Sequence, residues 1–161
     1  MARHNEGFSL IELLIVVAII LIIAAIAIPN LLRSRIAANQ ASAVESCRGI
    51  SSSELTYVIM YSAGYAASLS ALGPPAGGSQ PGPSAADLID SVVASGNKSG
   101  YAFVYTAGTQ DSQGHYQSYQ VNANPIDAGV TGELHYYTDQ SNVIRANLTT
   151  AASLSDSPIG Q

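Results

Sequence analysis

The chain has 161 residues, which is enough for one domain with its own hydrophobic core. Charged residues make up 11% of the chain, the formal net charge is −5, and the six lysines and arginines are scattered, so the sequence offers no basic stripe for nucleic acid. A single cysteine, Cys47, excludes an intrachain disulfide, and its apolar helical surroundings predict a small buried hydrophobe.

The first predicted element is an apolar helix over residues 8–28. These 21 residues would span about 31 Å, close to the thickness of a bilayer core. A secretory signal peptide would need a cleavage site after this run, yet the run continues through its alanines to Ile28. A plain membrane anchor explains the length but not the one ionisable residue, Glu12, because a carboxylate inside a span costs on the order of 3 kcal/mol.

A cut before the apolar run would give Glu12 a partner. Cleavage between Gly7 and Phe8 creates a new α-amino group on Phe8, one helical turn from Glu12. Glu12 would then lie in the first turn of the helix, where a negative charge complements the helix dipole. A buried charge needs a partner, and here it is the amine of Phe8 in the same chain or in a neighbouring subunit.

The stretch GFSLIELLIVV at residues 7–17, followed by IPNL at residues 28–31, closely resembles the processing motif of type IV pilins and of the pseudopilins of type II secretion. The resemblance covers about a quarter of the chain. It implies that a prepilin peptidase cuts between Gly7 and Phe8 and methylates the amine of Phe8. It also implies that Glu12 pairs with a neighbour's amino terminus, and that the helix around Pro29 extends locally in the filament.

The second half of the helix is predicted to follow Pro29, because residues 30–61 contain no further proline and one glycine, Gly49. Apolar residues on one side of this helix predict the face that packs on a sheet, and this face is called the predicted arc. Residues 64–83 carry too many glycines and prolines for a regular element. Ser84 and Asp87 then resemble a helix start, with Ser84 as the N-cap of a helix reaching Ser95. The predicted arc consists of Val44, Cys47, Ile50, Leu55, Val58 and Tyr61.

Four short antiparallel strands complete the predicted fold. Alternation places Tyr101, Phe103 and Tyr105 on one face of the first strand. The predicted class is therefore α+β: a long amino-terminal helix, with a membrane-spanning first half, packed against a small four-stranded antiparallel sheet. The strands are expected at 100–106, 116–122, 132–138 and 142–146. The expected organisation is a leader (1–7), a transmembrane assembly helix (8–29) and a head (30–161), whose parts are a helix (30–61), a loop with a short helix (62–97), a sheet (100–147) and a tail (148–161).

Catalytic and cofactor motifs are missing from the sequence, so neither an enzyme nor a cofactor-binding protein is predicted. His115 and His135 lie far apart in sequence and His4 is in the leader, which is unlike a zinc site. Oxygen ligands occur at residues 139–142, but they lack the dense carboxylates of a calcium loop, and a turn is the better interpretation. No metal site is predicted.

The sequence and the resemblance together predict a structural subunit that polymerises through its apolar helix into a type IV pilus. The expected partners are copies of the chain, a prepilin peptidase, the assembly machinery and the inner membrane, with no nucleic acid evident. Before assembly the head would lie outside the cytoplasm. The alternative is a pseudopilin that forms a periplasmic pseudopilus for type II secretion. The motif does not distinguish the two, and nothing in the sequence chooses among adhesion, motility and DNA uptake.

Overall fold

The computed structural model describes residues 8–160 of the chain. The chain divides into two compact units, Met1–Arg35 and Ile36–Gln161. One helix, α1, runs over Leu10–Tyr61 and therefore supplies residues to both units. It passes through Pro29 without a break, as expected for a helix that resumes after this proline. It ends where Ser62 takes a left-handed conformation with φ of 50°.

The structure confirms the α+β class, and the sheet in the second unit is antiparallel throughout. It has five strands, not the four that were predicted. The strand order follows the chain, so each strand pairs with the next one in sequence. The strands are β1 (Asn97–Lys98), β2 (Tyr101–Ala107), β3 (Tyr119–Pro125), β4 (His135–Asp139) and β5 (Arg145–Asn147).

The additional strand, β1, forms a hairpin with β2 through the two residues Ser99 and Gly100. Both have positive φ, 49° and 74°, and Lys98 pairs with Tyr101. Positive φ at both central residues is the requirement of a type I′ hairpin turn, whose twist matches that of its strands. The prediction missed this strand because two residues are too short to show alternation.

Four predicted element starts are wrong, and two of them are those of β4 and β5, which begin at His135 and Arg145 and not at residues 132 and 142. Ser84 does not cap a helix, because it lies in a turn closed by hydrogen bonds between Gly82 and Ala85. The chain after this turn bonds to the short helix α2 (Leu69–Leu72), where the amide of Ala86 donates to the carbonyl of Ala71. The next helix, α3 (Ser91–Ala94), begins after Asp90 instead. Strand β3 starts at Tyr119 and not at residue 116, since the carboxylate of Asp111 accepts hydrogen bonds from the loop before it.

The core of the second unit lies between the distal part of α1 and one face of the sheet. Tyr101 and Phe103 are buried on β2, as alternation predicted, but Tyr105 is only partly buried. The helix face differs from the predicted arc, because Leu55 is 56% exposed while Glu54 and Tyr57 are buried. The buried residues of α1 are Ala43, Ser46, Cys47, Ile50, Ser51, Ser53, Glu54 and Tyr57.

Cys47 is completely buried in this core, which confirms the predicted hydrophobic role. Burial raises the pKa of its thiol to about 12, so the reactive thiolate is scarce at neutral pH. We expect the folded chain to resist a thiol-specific aromatic disulfide reagent at pH 8. The same chain in guanidinium chloride should react fully, and rapid modification without denaturant would contradict the buried position.

Candidate assembly site

The start of α1 is built by Ser9 and Glu12. The backbone N–H of Ser9 donates to Glu12 Oε2 at 2.8 Å, while the amides of Glu12 and Leu13 donate to the carbonyl of Ser9 at 3.1 and 3.3 Å. Spacing of Ser and Glu three residues apart is that of a capping box, in which the glutamate reaches back to the N-cap amide. The spacing of Ser9 and Glu12 is visible in the sequence, but the role of Ser9 as the N-cap was not predicted.

The hydrogen bond from Ser9 uses one of the two carboxylate oxygens of Glu12. Within residues 8–160, Oε1 of Glu12 makes no hydrogen bond and Glu12 makes no ion pair. Phe8 lies just before the helix and its side chain is 84% exposed. The other half of the predicted processing site, Gly7, lies outside the described residues. The Phe8 amine predicted to pair with Glu12 would exist only after cleavage.

Residues 13–28 of α1, which follow Glu12, are all apolar. The large apolar residues of α1 from Leu10 to Leu32 are between 47% and 78% exposed. The helix is long and apolar enough to cross a membrane, and no part of its most apolar window, with mean hydropathy 3.3, is buried by residues 8–160. A core helix of a soluble protein would be buried, so this surface requires a cover of lipid or of other protein.

Pro29 lies within α1 and cannot donate to the carbonyl four residues before it. Side-chain hydrogen bonds surround this position: Asn30 Nδ2 donates to the carbonyl of Ile26 at 3.1 Å, and Ser34 Oγ donates to the carbonyl of Asn30 at 2.9 Å. The helix here therefore combines one missing backbone bond with polar groups able to bond to released carbonyls.

Comparison with known proteins finds similarity at the amino terminus of the chain. Residues 2–28 match the family described as the prokaryotic N-terminal methylation motif. The chain is also 65% identical over 37 residues to the "Type IV wide pilus major component PilA4" of Thermus thermophilus, a match that covers 23% of this chain and 28% of that protein. At its amino terminus, the chain is therefore similar to type IV pilins. Each of the two matches covers less than a quarter of the chain, and no solved structure matches it.

The residues of the second unit that were considered as metal ligands and set aside make protein contacts. His115 Nδ1 lies 3.6 Å from the carboxylate of Asp111, and His135 Nδ1 lies 2.8 Å from Asn124 Oδ1. Asp139 accepts hydrogen bonds from the amide and the hydroxyl of Ser141, which is the geometry of the predicted turn. Among residues 8–160, no three His, Cys, Asp or Glu side chains form a group that could hold a metal ion.

Proposed function

We propose that this chain is a prepilin that is cut between Gly7 and Phe8, is methylated on the amine of Phe8, and polymerises into a type IV pilus as a structural subunit. One observation carries the proposal: Glu12 is the one carboxylate in residues 10–32 of α1, a stretch whose large apolar side chains are exposed. The likeness to a pilus major component supports a pilus filament in preference to a secretion pseudopilus.

Whatever covers the apolar part of α1 in the filament also covers Glu12. A carboxylate transferred into an apolar environment without a partner is costly, and its removal from an established buried pair costs about 3–5 kcal/mol. In the structure, the Ser9 amide satisfies one oxygen of Glu12, which leaves the other for a cationic partner. The amine of a processed Phe8 from a neighbouring subunit supplies that charge when helices pack side by side.

The membrane holds the subunit before assembly. The apolar helix would cross the inner membrane with the second unit outside the cytoplasm, and assembly would replace lipid by neighbouring copies of the same helix. The driving force is packing and charge pairing between helices, because lipid tails are as apolar as the side chains they leave. The prepilin peptidase and the assembly machinery are the partners that this route requires.

Electron microscopy of filaments sheared from cells tests the function. We expect filaments whose main protein is this chain, identified by peptide mass spectrometry and by labelling with an antibody to the second unit. A strain that lacks the gene should have none. Cells in which the processed chain stays wholly in the inner membrane and the sheared fraction contains no filaments would contradict a pilus.

Pro29 has a proposed role in the filament, where the helix around it would extend locally. The missing backbone bond makes this the weakest turn of α1, and the side chains of Asn30 and Ser34 offer substitute partners. We expect amides 26–33 to exchange with deuterium faster in filaments than amides 14–24. Equal and complete protection of both stretches would contradict the extension.

A further inference from the structure

Glu54 is a fully buried acid that the proposed assembly does not use. It lies on α1 in the second unit and faces the segment that connects α1 to α2. Its Oε2 accepts the backbone N–H of Ala66 at 3.0 Å, and its Oε1 lies 2.6 Å from Tyr105 Oη. Ala66 belongs to the connecting segment and Tyr105 to β2, so this carboxyl group joins three parts of the fold.

The number of hydrogens available to the contacts of Tyr105 depends on whether Glu54 is protonated. Tyr105 Oη also lies 2.8 Å from the carbonyl oxygen of Ala66. A tyrosine hydroxyl has one hydrogen and can donate it to only one of the two oxygens. If Glu54 were ionised, one of these short oxygen–oxygen contacts would contain no hydrogen, and an unsatisfied buried acceptor is costly.

A protonated Glu54 removes this conflict. The acid donates to Tyr105 Oη, Tyr105 donates to the carbonyl of Ala66, and the amide of Ala66 donates to the second oxygen of Glu54. Every donor in this closed ring is used once and every acceptor is satisfied. Such a fully satisfied network is the form in which buried polar groups stabilise a core.

The groups around Glu54 provide no positive charge to favour ionisation. Tyr57 on α1 and Tyr105 on β2 face it directly, and Tyr119 on β3 stacks on Tyr105 with 5.9 Å between ring centroids. Among the described residues, no ion pair involves Glu54.

The outer neighbours of these tyrosines are also neutral or acidic. Tyr65 of the connecting segment packs on Tyr119 with 5.0 Å between ring centroids, and Asp139 on β4 is an acidic neighbour of Tyr119. Burial raises the pKa of Glu54, and this effect is larger than the lowering caused by the hydrogen bonds from Tyr105 and Ala66. The electrostatic surroundings therefore agree with the count of protons.

We propose that Glu54 is a neutral carboxylic acid at pH 7, and that its proton fastens the segment between α1 and α2 to the core as a pH-sensitive latch. Ionisation puts a charge among tyrosines and removes one hydrogen from the ring. The connecting segment then loses its attachment to α1 and β2. This latch is independent of filament assembly, and it operates in the single subunit.

The direction of the pH dependence follows from proton binding. A glutamate in the unfolded chain loses its proton near pH 4.3, whereas the folded chain keeps the proton to higher pH. The latch therefore contributes fully below that pH, and its contribution is lost as the pH rises through the folded pKa. The equilibrium constant for unfolding should increase by up to about tenfold per pH unit in this window because of Glu54.

Glu54→Gln tests the latch in the full chain in detergent micelles. The amide can donate to Tyr105 and accept from Ala66, so it reproduces the neutral acid but cannot titrate. We expect thermal unfolding, followed by near-ultraviolet circular dichroism, to depend less on pH above about 4.3 in this variant than in the wild type. Glu45→Gln, an exposed glutamate of the same helix, should follow the wild type. Equal pH slopes in all three chains would overturn the proposal.

A second measurement does not depend on how Glu54→Gln folds. Carboxyl ¹³C spectra of glutamate-labelled full chain, in a Glu12→Gln background, should contain one glutamate signal in the protonated position at pH 7. That signal should move to the carboxylate position only at higher pH. A folded chain in which every glutamate signal is that of a carboxylate at pH 7 would overturn the proposal.

Discussion

Glu12→Gln should abolish pilus filaments while the subunit still accumulates in the membrane. Glutamine keeps the hydrogen bond to the Ser9 amide, since a capping box accepts either residue, but it removes the negative charge. If the charge pairs with the amine of a neighbouring Phe8, its loss leaves that amine unpaired among packed helices and costs about 3 kcal/mol per contact. About 3 kcal/mol is roughly a hundredfold in an equilibrium constant at each addition step. Sheared filaments, counted by electron microscopy against immunoblots of the membrane fraction, provide the measurement.

Glu12→Ala removes both the charge and the cap, and it should be no more severe in assembly than Glu12→Gln. Glu45→Gln is the matched control, because Glu45 lies on the same helix with its side chain 78% exposed and forms an ion pair with Arg48 at 3.7 Å. Exposed pairs contribute about 0–1 kcal/mol, so the control should assemble normally. Normal filaments from Glu12→Gln together with their loss in Glu12→Ala would assign Glu12 to capping and contradict charge pairing.

Gly132→Ala should destabilise the second unit by about 3 kcal/mol, the upper part of the range for an overfilled core. A β-carbon at this buried position would lie 2.6 Å from Cζ and 2.7 Å from Cε2 of Tyr101. Tyr101 cannot move away easily, because it is fully buried and its hydroxyl donates to the carbonyl of Leu134 at 2.8 Å. Urea unfolding of the full chain in micelles, followed by tyrosine circular dichroism, measures the change.

Gly49→Ala is the opposite case. Gly49 lies in α1, where an added β-carbon would meet no described atom within 4 Å beyond its chain neighbours and its own helix backbone. Alanine in a helix is more favourable than glycine by about 1 kcal/mol. We therefore expect the two Gly→Ala changes to have opposite signs. A Gly132→Ala chain as stable as the wild type would show that Tyr101 is not held where the structure places it.

The sequence predicted the structure best where the surroundings of a segment, lipid or the hydrophobic core, restrict which residues can occur there. The apolar run and Glu12 stand out because lipid tolerates few charges, and the buried alternation of Tyr101 and Phe103 marks β2 because a sheet face must cover a core. The continuation of the helix beyond Pro29 was also predicted from the sequence, because residues 30–61 contain no further proline.

Features that depend on distant partners could not be read in this way. Leu55 was expected in the core, yet Glu54 is buried beside it because Ala66 and Tyr105 supply hydrogen bonds from elsewhere in the chain. The start of α3 depends similarly on tertiary hydrogen bonds, since the segment after Ser84 bonds to α2 and leaves Asp90 to cap the helix. Local propensity gives way to such contacts.

Intact-mass and amino-terminal analysis of the chain isolated from filaments addresses processing itself. The mature chain should begin at Phe8 and should carry the mass of one added methyl group on its amine. A chain that retains residues 1–7 in the filament, or that begins at any residue other than Phe8, would leave Glu12 without the cationic partner that the assembly requires.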